Sequence, residues 1–191
     1  MTKSDQELIA DYQNGDPRAL EMLFERYKKP VLNYALRVTG NRADAEDVTS
    51  DVMMTLIVKK ETYQPIAKFS TWLFTIVRNS CISKLRRRKN IFSLWTQNQE
   101  SGEYETLDVP DTANLPDHLV KEKEITSQVK KAIEKLPDTQ REALVLREYQ
   151  NFSYEEISQI LGCSLENVKI LIFRARERLR QELSSFMTEG S

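Results

Sequence analysis

The hydrophobic residues of the first sixty positions recur at spacings of three and four, which places them on one face of a helix. Asp16 followed by Pro17 predicts the start of the first long helix, because aspartate can cap a helix and proline fits its first turn. Pro30 predicts a kink or a split, and Gly40 with Asn41 predicts the end. The apolar face contains Leu20, Leu23, Phe24, Tyr27, Val31, Tyr34 and Val38.

A second helix is predicted from about Arg42 to Lys59, and one of its sides is acidic. Glu46, Asp47 and Asp51 lie on that side and would repel DNA phosphates. They therefore face solvent or dock on a basic protein, and the residues alone favour solvent. The inner face of this helix contains Ala45, Val48, Val52 and Leu56.

A third helix, to about Lys89, follows a loop that begins at Tyr63. Ser70 is predicted to cap it, with Phe69 and Phe74 packing across its entry. Residues 62–99 carry seven basic and no acidic side chains. The predicted apolar stripe is Trp72, Leu73, Ile76, Val77 and Leu85, and the predicted polar face is Arg78, Asn79, Ser83, Arg86 and Lys89.

Stacking side chains combined with positive charge are typical of proteins that hold single-stranded or opened nucleic acid. Tyr63 is expected to stack on an unpaired base, and Asn79 to hydrogen-bond a base edge. The residues favour an alternative as strongly as nucleic-acid binding. In this alternative the aromatic side chains form a core and residues 86–89 form a solvated tail.

Residues 91–123 are predicted to connect two units, because most of this stretch is acidic, rich in turn residues and aperiodic. Residues 100–124 carry eight acidic and two basic side chains. The apolar segment from Ile91 to Trp95 is unusual in such a connection. We expect it to pack back on the first unit or to touch a partner.

Residues 124–187 predict a small helical unit that contains a helix-turn-helix. Pro137 separates its first two helices. Ser153 and Glu156 have the spacing of a capping box at the start of a short helix, and Gly162 ends that helix. Ser164 then caps the last and longest helix, which in such a motif enters the major groove.

The last helix has one face for the core and one for DNA. Val168, Ile172 and Ala175, with Leu179, form the core stripe. A solvated face with ion pairs around Glu177 is the alternative that we weigh against DNA contact. Base contacts are expected from the outward residues Leu165, Glu166, Lys169, Ile170, Phe173 and Arg174, and phosphate contacts from Arg176, Arg178 and Arg180.

Composition favours an all-α protein that is not an enzyme. The chain has only 5 Gly and 6 Pro among 191 residues, which suits helices. His118 is the only histidine, and neither a phosphate-binding loop nor a metal-ligand motif occurs. Cys81 and Cys163 are expected to be packing residues. We expect no cofactor, no metal, no membrane insertion and a cytoplasmic location.

Four stretches together resemble the extracytoplasmic-function sigma factors, the minimal two-domain members of the sigma-70 family. They are GDPRALEMLFERY, TGNRADAEDVTSDVMMTLI, FSTWLFTIVRNSCISKLRRR and LPDTQREALVLREYQNFSYEEISQILGCSLENVKILIFRARERL. The resemblance implies sigma region 2 over residues 6–90, a linker over 91–123 and region 4 over 124–187. It also implies that the chain gives RNA polymerase its promoter specificity.

The resemblance assigns roles to particular residues. Glu46, Asp47 and Asp51 are expected to dock on the coiled coil of the largest polymerase subunit, which reverses the preference for solvent. Region 4 is also expected to touch the polymerase flap, and the linker to run near the RNA exit path. Minus-10 binding is expected from Tyr63, Lys68, Phe74, Ile76, Arg78, Asn79, Ser83, Arg86 and Arg87, and minus-35 binding from Ser164, Glu166, Lys169, Ile170, Phe173, Arg174 and Arg176.

Departures from the family pattern predict altered promoter preferences. Ser83 stands where the family usually has Asp or Asn. Asn167, Ile170 and Leu171 replace a frequent Thr, Ser and Arg, so the minus-35 sequence is expected to differ from the common type. Ser158 holds a place usually given to Ala.

The family also implies an anti-sigma partner that masks these surfaces. The main alternative is a dimeric helix-turn-helix regulator that binds duplex DNA without polymerase. An RNA-binding or adaptor protein is favoured only by the arginine-rich tracts, and a nucleic-acid enzyme lacks a candidate catalytic group.

Overall fold

The computed structural model describes residues 3–58, 63, 67–96 and 117–189, with side chains except at 91–96, 117–124 and 185–189. Within these ranges the chain forms eight helices and no strand, which confirms the all-α prediction. The helices are α1 (Asp5–Gln13), α2 (Pro17–Thr39), α3 (Arg42–Val58), α4 (Phe69–Thr96), α5 (Asp117–Glu134), α6 (Asp138–Glu148), α7 (Tyr154–Leu161) and α8 (Leu165–Glu189).

The limits of α2 follow the sequence pattern, but its interior does not. Asp16 caps its start, because the Asp16 carboxylate accepts a hydrogen bond from the Arg18 amide at 3.0 Å. Gly40 ends it in the left-handed conformation, with φ of 68°. Of the kink or split predicted at Pro30, the split does not occur, since α2 runs through this residue. Buried residues on both sides of Pro30 pack one continuous face against α3 and α4, which favours a single helix.

The start of α4 also differs from the prediction. The helix begins at Phe69, so Ser70 lies inside its first turn and is not the cap. The amide of Trp72 instead bonds the carbonyl of Lys68 at 3.1 Å. Phe69 and Phe74 are both buried, and their rings pack on α2 against Tyr27 and Tyr34.

The predicted helix-turn-helix is confirmed down to its caps. Ser153 and Glu156 form a reciprocal capping box at the start of α7. Gly162 ends α7 with φ of 65°. The Ser164 hydroxyl then accepts from the Asn167 amide at 3.2 Å at the start of α8. The core stripe of α8 is confirmed as well, with Val168, Ile172 and Ala175 buried and Leu179 partly buried.

The two helical units pack directly on each other. Helix α4 lies against α7, and α2 lies against α5 and α6. Helix α4 continues to Thr96 and α5 already begins at Asp117, so both reach into the stretch that was expected to be linker. Ile91 to Trp95 are therefore helical, while their side-chain contacts, like residues 97–116, lie outside the described residues.

Gly162→Ala is expected to lower the free energy of unfolding by about 1–2 kcal/mol, because a Cβ strains the left-handed backbone at the turn. Chemical denaturation followed by circular dichroism measures this. Gln159→Ala, at an exposed position of α7, is the control and should change stability by less than about 0.5 kcal/mol. Equal stability of the two variants would mean that the turn does not need glycine.

Candidate nucleic-acid interface

The outward face of α8 exposes apolar side chains beside charged ones, whereas a face that contacts only water needs no exposed apolar side chains. Phe173 is 65% exposed, and Ile170, one turn before it, is also exposed. Glu166, Lys169 and Arg174 are exposed beside them. Since the buried stripe and the capped turn fix the rotation of α8, these side chains project from the domain together.

Two of the predicted minus-35 residues already have structural partners. Ser164 uses its hydroxyl to cap α8. Arg176 donates to the Glu148 carboxylate of α6 at 2.5 Å, and this hydrogen bond raises the pKa of the guanidinium. Both residues therefore help to hold α8 in place, in addition to any contact with DNA.

Helix α4 presents a polar face that suits an unpaired strand. Asn79, Ser83, Arg86 and Arg87 are exposed along it, and Ile76 is half-buried at its edge. The Ser83 hydroxyl donates to the Asn79 carbonyl at 2.9 Å. The structure thus brings together five of the nine residues predicted for the minus-10 element.

Phe74 and Arg78 were predicted for the same role, but they lie on a different face of α4. Phe74 is buried, with its ring edge-on to Phe152 at 5.0 Å between centroids. The Arg78 Nε donates to Glu142 Oε2 of α6 at 2.7 Å. Residues 74 and 78 are one turn apart and share a face, whereas residue 79 is rotated by 100° from it. In this conformation both side chains are covered by the second unit.

Tyr63 is likewise not free to stack on a base in this structure. It is 5% exposed, and its ring packs edge-on against Phe69 and Trp72 at 5.7 and 5.4 Å. Its hydroxyl donates to the Ala67 carbonyl at 3.0 Å, and burial raises the pKa of its phenol. Lys68 remains exposed but forms an ion pair with Glu156 of α7 at 2.9 Å.

The acidic face of α3 is exposed, as expected, and it is more apolar than the sequence pattern indicated. Asp47 and Asp51 lie one turn apart, and Asp47 accepts from Lys84 at 2.7 Å. That hydrogen bond raises the pKa of the Lys84 ammonium group. Glu46 pairs with Arg42 at 2.8 Å. Beyond Asp51 the exposed residues Met54, Ile57 and Val58 extend the face.

The sequence analysis did not single out Met54, Ile57 and Val58, although their positions along α3 could have indicated an exposed apolar cluster. They lie outside the buried stripe of α3, and Val58 is 77% exposed. An apolar cluster beside carboxylates is typical of a surface that binds another protein. We call Asp47, Asp51, Met54 and Val58 the α3 face.

Among the described residues, no cluster of histidine, cysteine and carboxylate side chains could hold a metal ion. No helix in the same ranges is both long and apolar enough to cross a membrane. Cys81 is buried, and burial raises the pKa of its thiol to about 12. It is therefore a protonated packing residue, in agreement with the prediction.

Comparison with known proteins places both helical units. The sigma-70 region 2 family matches residues 23–91, and the sigma-70 region 4 family matches residues 126–179. The extracytoplasmic-function sigma factor SigW of Bacillus subtilis is 30% identical, with 92% of this chain and 94% of SigW covered. The sigma-E factor of Escherichia coli is also 30% identical, with 92% of each chain covered.

A solved structure agrees in fold across most of the chain. It is the sigma factor RpoE in complex with the anti-sigma factor NepR, from Bartonella quintana. The TM-score is 0.70 at 26% identity, covering 86% of this chain and 96% of RpoE. Two family matches in the right order and near-complete coverage by relatives leave one conclusion: this chain belongs to the extracytoplasmic-function sigma factors of RNA polymerase, within the sigma-70 family.

Proposed function

We propose that the chain directs promoter recognition through three separate surfaces. The exposed face of α8 reads the minus-35 element as duplex, the polar face of α4 holds the opened minus-10 element, and the α3 face docks on core polymerase. The observation that carries this proposal is the pairing of a capped recognition helix bearing an exposed Phe173 with a second, basic helix. A protein that reads only duplex DNA needs the recognition helix but not the second, basic helix.

The minus-35 assignment rests on the chemistry that α8 exposes. Lys169 and Arg174 can donate to guanine, and Glu166 can accept from a cytosine amine. Ile170 and Phe173 offer apolar surface to thymine methyl groups. Arg178 and Arg180 follow on the same helix and supply charge for phosphates, which sets orientation without reading sequence.

The minus-10 assignment rests on α4. Asn79 and Ser83 can hydrogen-bond base edges that an intact duplex would hide, while Arg86 and Arg87 supply charge for the strand. Capturing an unpaired base offsets the few kcal/mol that unstacking costs. Tyr63, Phe74 and Arg78 lie outside this surface, because each is held by the ring contacts and the ion pair described above.

The α3 face supports docking on a basic partner. Asp47 and Asp51 carry the charge complementarity, and Met54 with Val58 supplies apolar area at its centre. We assign the coiled coil of the largest polymerase subunit as the partner of this face, and the polymerase flap as a partner of the second unit. The chain performs no bond chemistry itself, because the polymerase does the catalysis.

An anti-sigma factor is the regulator that we expect in the cell. Its support is the Bartonella relative, which was solved in complex with the anti-sigma factor NepR. Because polymerase and its promoters are cytoplasmic, we propose that the chain acts in the cytoplasm.

Run-off transcription on a genomic fragment library, with and without core polymerase, tests the proposal as a whole. We expect defined transcripts only when both chain and core are present. Tight duplex binding by the chain alone, as a dimer and with no effect on transcription, would identify a helix-turn-helix regulator instead.

Phe173→Ala is expected to weaken binding to minus-35 duplex by about 1–3 kcal/mol, a factor of about 5 to 160, because an apolar base contact is lost. Fluorescence anisotropy of holoenzyme on promoter duplexes with intact and scrambled minus-35 bases measures it. Gln181→Ala, exposed on the same helix, should bind as the unaltered chain does. If Phe173→Ala discriminates the two duplexes equally well, α8 does not read bases through this side chain.

Asp51→Arg is expected to weaken binding to core polymerase at least about tenfold, because a cation then faces a basic surface. Biolayer interferometry with immobilised core measures the affinity, and circular dichroism checks the fold. Glu25→Arg makes the same charge change on the exposed side of α2 and should leave affinity nearly intact. Equal losses in both variants would point to a general charge effect.

Asn79→Ala is expected to slow promoter opening by about fivefold, since one hydrogen bond to an unpaired base is worth roughly 1 kcal/mol. Closed-complex formation should not change. Permanganate reactivity of minus-10 thymines follows opening, and a gel shift on ice follows the closed complex. Asn33→Ala in α2 is the matched control, and a loss confined to closed-complex binding would contradict the assignment.

A further inference from the structure

Ile170 lies at the centre of the outward face of α8. At about 100° per residue, it is rotated by about 190° from the mean direction of Val168, Ile172 and Ala175, which are buried. The Ser164 cap fixes where the helix begins. Ile170 is 46% exposed, so a large apolar side chain points directly away from the core of the second unit.

Two charged side chains flank Ile170 on this face. Glu166 precedes it by four residues and Arg174 follows it by four, and both are exposed. Each is therefore rotated by about 40° to one side of Ile170 and displaced by about 6 Å along the helix axis. The middle of the outward face is thus apolar, while its two ends are charged.

Lys169 is directed to one side of this face. It lies about 100° from Ile170 around the helix, towards the start of α7. Hydrogen bonds with its own amide and with Ser153 lower the pKa of the Glu155 carboxyl, and the charge of Lys169 adds to this lowering. Lys169 therefore does not compete with Ile170 for a base pair at the centre of the face.

The charge that follows Ile170 along the helix favours DNA over a protein as its partner. An exposed apolar residue also suits a protein contact. Residues 174–180, however, contain four arginines and one glutamate, which is the charge of a surface that binds phosphates. An apolar residue at the start of such a helix faces bases when the arginines contact the backbone.

An isoleucine is stiff in this position. A β-branched side chain in a helix has one strongly preferred χ1 rotamer, so the methyl groups of Ile170 keep a fixed direction before DNA arrives. Little rotational freedom is then lost on binding. The side chain has no group that donates or accepts a hydrogen bond, so it can read a base pair only through its apolar surface.

The edges of the base pairs differ in what they offer to such a surface. In the major groove the C5 methyl of thymine is the apolar group. A G·C pair instead presents two acceptors on guanine and an amine donor on cytosine. Covering these groups with isoleucine removes their water without replacing the lost hydrogen bonds, which costs free energy.

We propose that Ile170 selects one A·T base pair of the minus-35 element by covering the thymine methyl group, and that it excludes G·C at the same position. The inference rests on the proposed role of α8 in reading this element, and it deepens that role by naming a specificity-determining residue. Attraction to one pair and desolvation of the other act together, which is how a single side chain gains selectivity.

Four bases at one site separate the methyl group from the hydrogen-bonding pattern. Thymine and uracil differ only by the methyl group, and 5-methylcytosine and cytosine differ by the same group. Each thymine in the minus-35 element of a promoter found by run-off transcription is replaced in turn by the other three bases, with the matching partner base opposite. Fluorescence anisotropy then gives the Kd of holoenzyme on each duplex.

At one thymine, uracil should weaken binding of the unaltered holoenzyme about fourfold, the value of one buried methylene-sized group. Cytosine should weaken it at least about tenfold, and 5-methylcytosine should recover about fourfold of that loss. Ile170→Ala should bind the thymine and uracil duplexes about equally at that base. Ile170→Val, which keeps the branched methyl groups, should retain most of the difference.

Ile125→Ala is the matched control, since it makes the same change at an exposed position of α5. It should leave every base preference unchanged. If Ile170→Ala keeps the full sensitivity to uracil, another side chain reads the methyl group and the inference is wrong. Weaker binding of Ile170→Ala to core polymerase in biolayer interferometry, with unchanged base preferences, would instead assign Ile170 to a protein contact and overturn it.

The same duplexes separate this inference from the proposed function. If scrambling the minus-35 bases weakens binding but uracil is tolerated at every thymine, Ile170 does not select a methyl group and the proposed function stands. If the unaltered holoenzyme directs no transcript from any fragment, the proposed function itself fails.

Discussion

The ion pair between Arg78 and Glu142 joins α4 of the first helical unit to α6 of the second. Burying both charges is tolerable only because each neutralises the other. Removing either partner would leave a buried charge unpaired, so the pair favours this packing of the two units. Which side chains of α4 are exposed depends on that packing, since Phe74 and Arg78 lie under the second unit.

Each unit also has stabilising contacts of its own. In the first, α2 and α3 pack along their length, and α4 completes the core through Phe69 and Leu73. In the second, the reciprocal cap of Ser153 and Glu156 and the left-handed Gly162 fix α7 against α8. These devices are local, whereas the buried residues of both units form one continuous hydrophobic core.

Much of the second unit could be predicted from the sequence, because its determinants are local. A capping box, a glycine and a serine cap specify a helix-turn-helix within twelve residues, and the core stripe of α8 then sets its outward face. The polar strip through Asn79 and Ser83 followed from spacing in the same way. The family resemblance added roles that spacing alone left open, above all for the acidic face of α3.

The remaining features depend on contacts distant in sequence. Arg78 is next to Asn79 in the chain, yet its partner Glu142 is 64 residues away. No local sequence pattern predicts a pairing across that distance. Tyr63 is held by Phe69 and Trp72 instead of standing free. Pro30 leaves α2 continuous because packing outweighs the local penalty. Met54 and Val58, the apolar end of the α3 face, can be read from the sequence. Only their exposure in the structure indicates that they belong to a surface that binds a protein.

Position-specific photocrosslinking within the promoter-bound holoenzyme tests the central claim most directly. A photoreactive amino acid is placed at Phe173 in one preparation and at Ser83 in another. The account predicts crosslinks to minus-35 duplex from the first and to the minus-10 strand from the second, about 25 base pairs apart, and none without polymerase. Crosslinks from both positions to one duplex site, formed equally well by the chain alone, would contradict it.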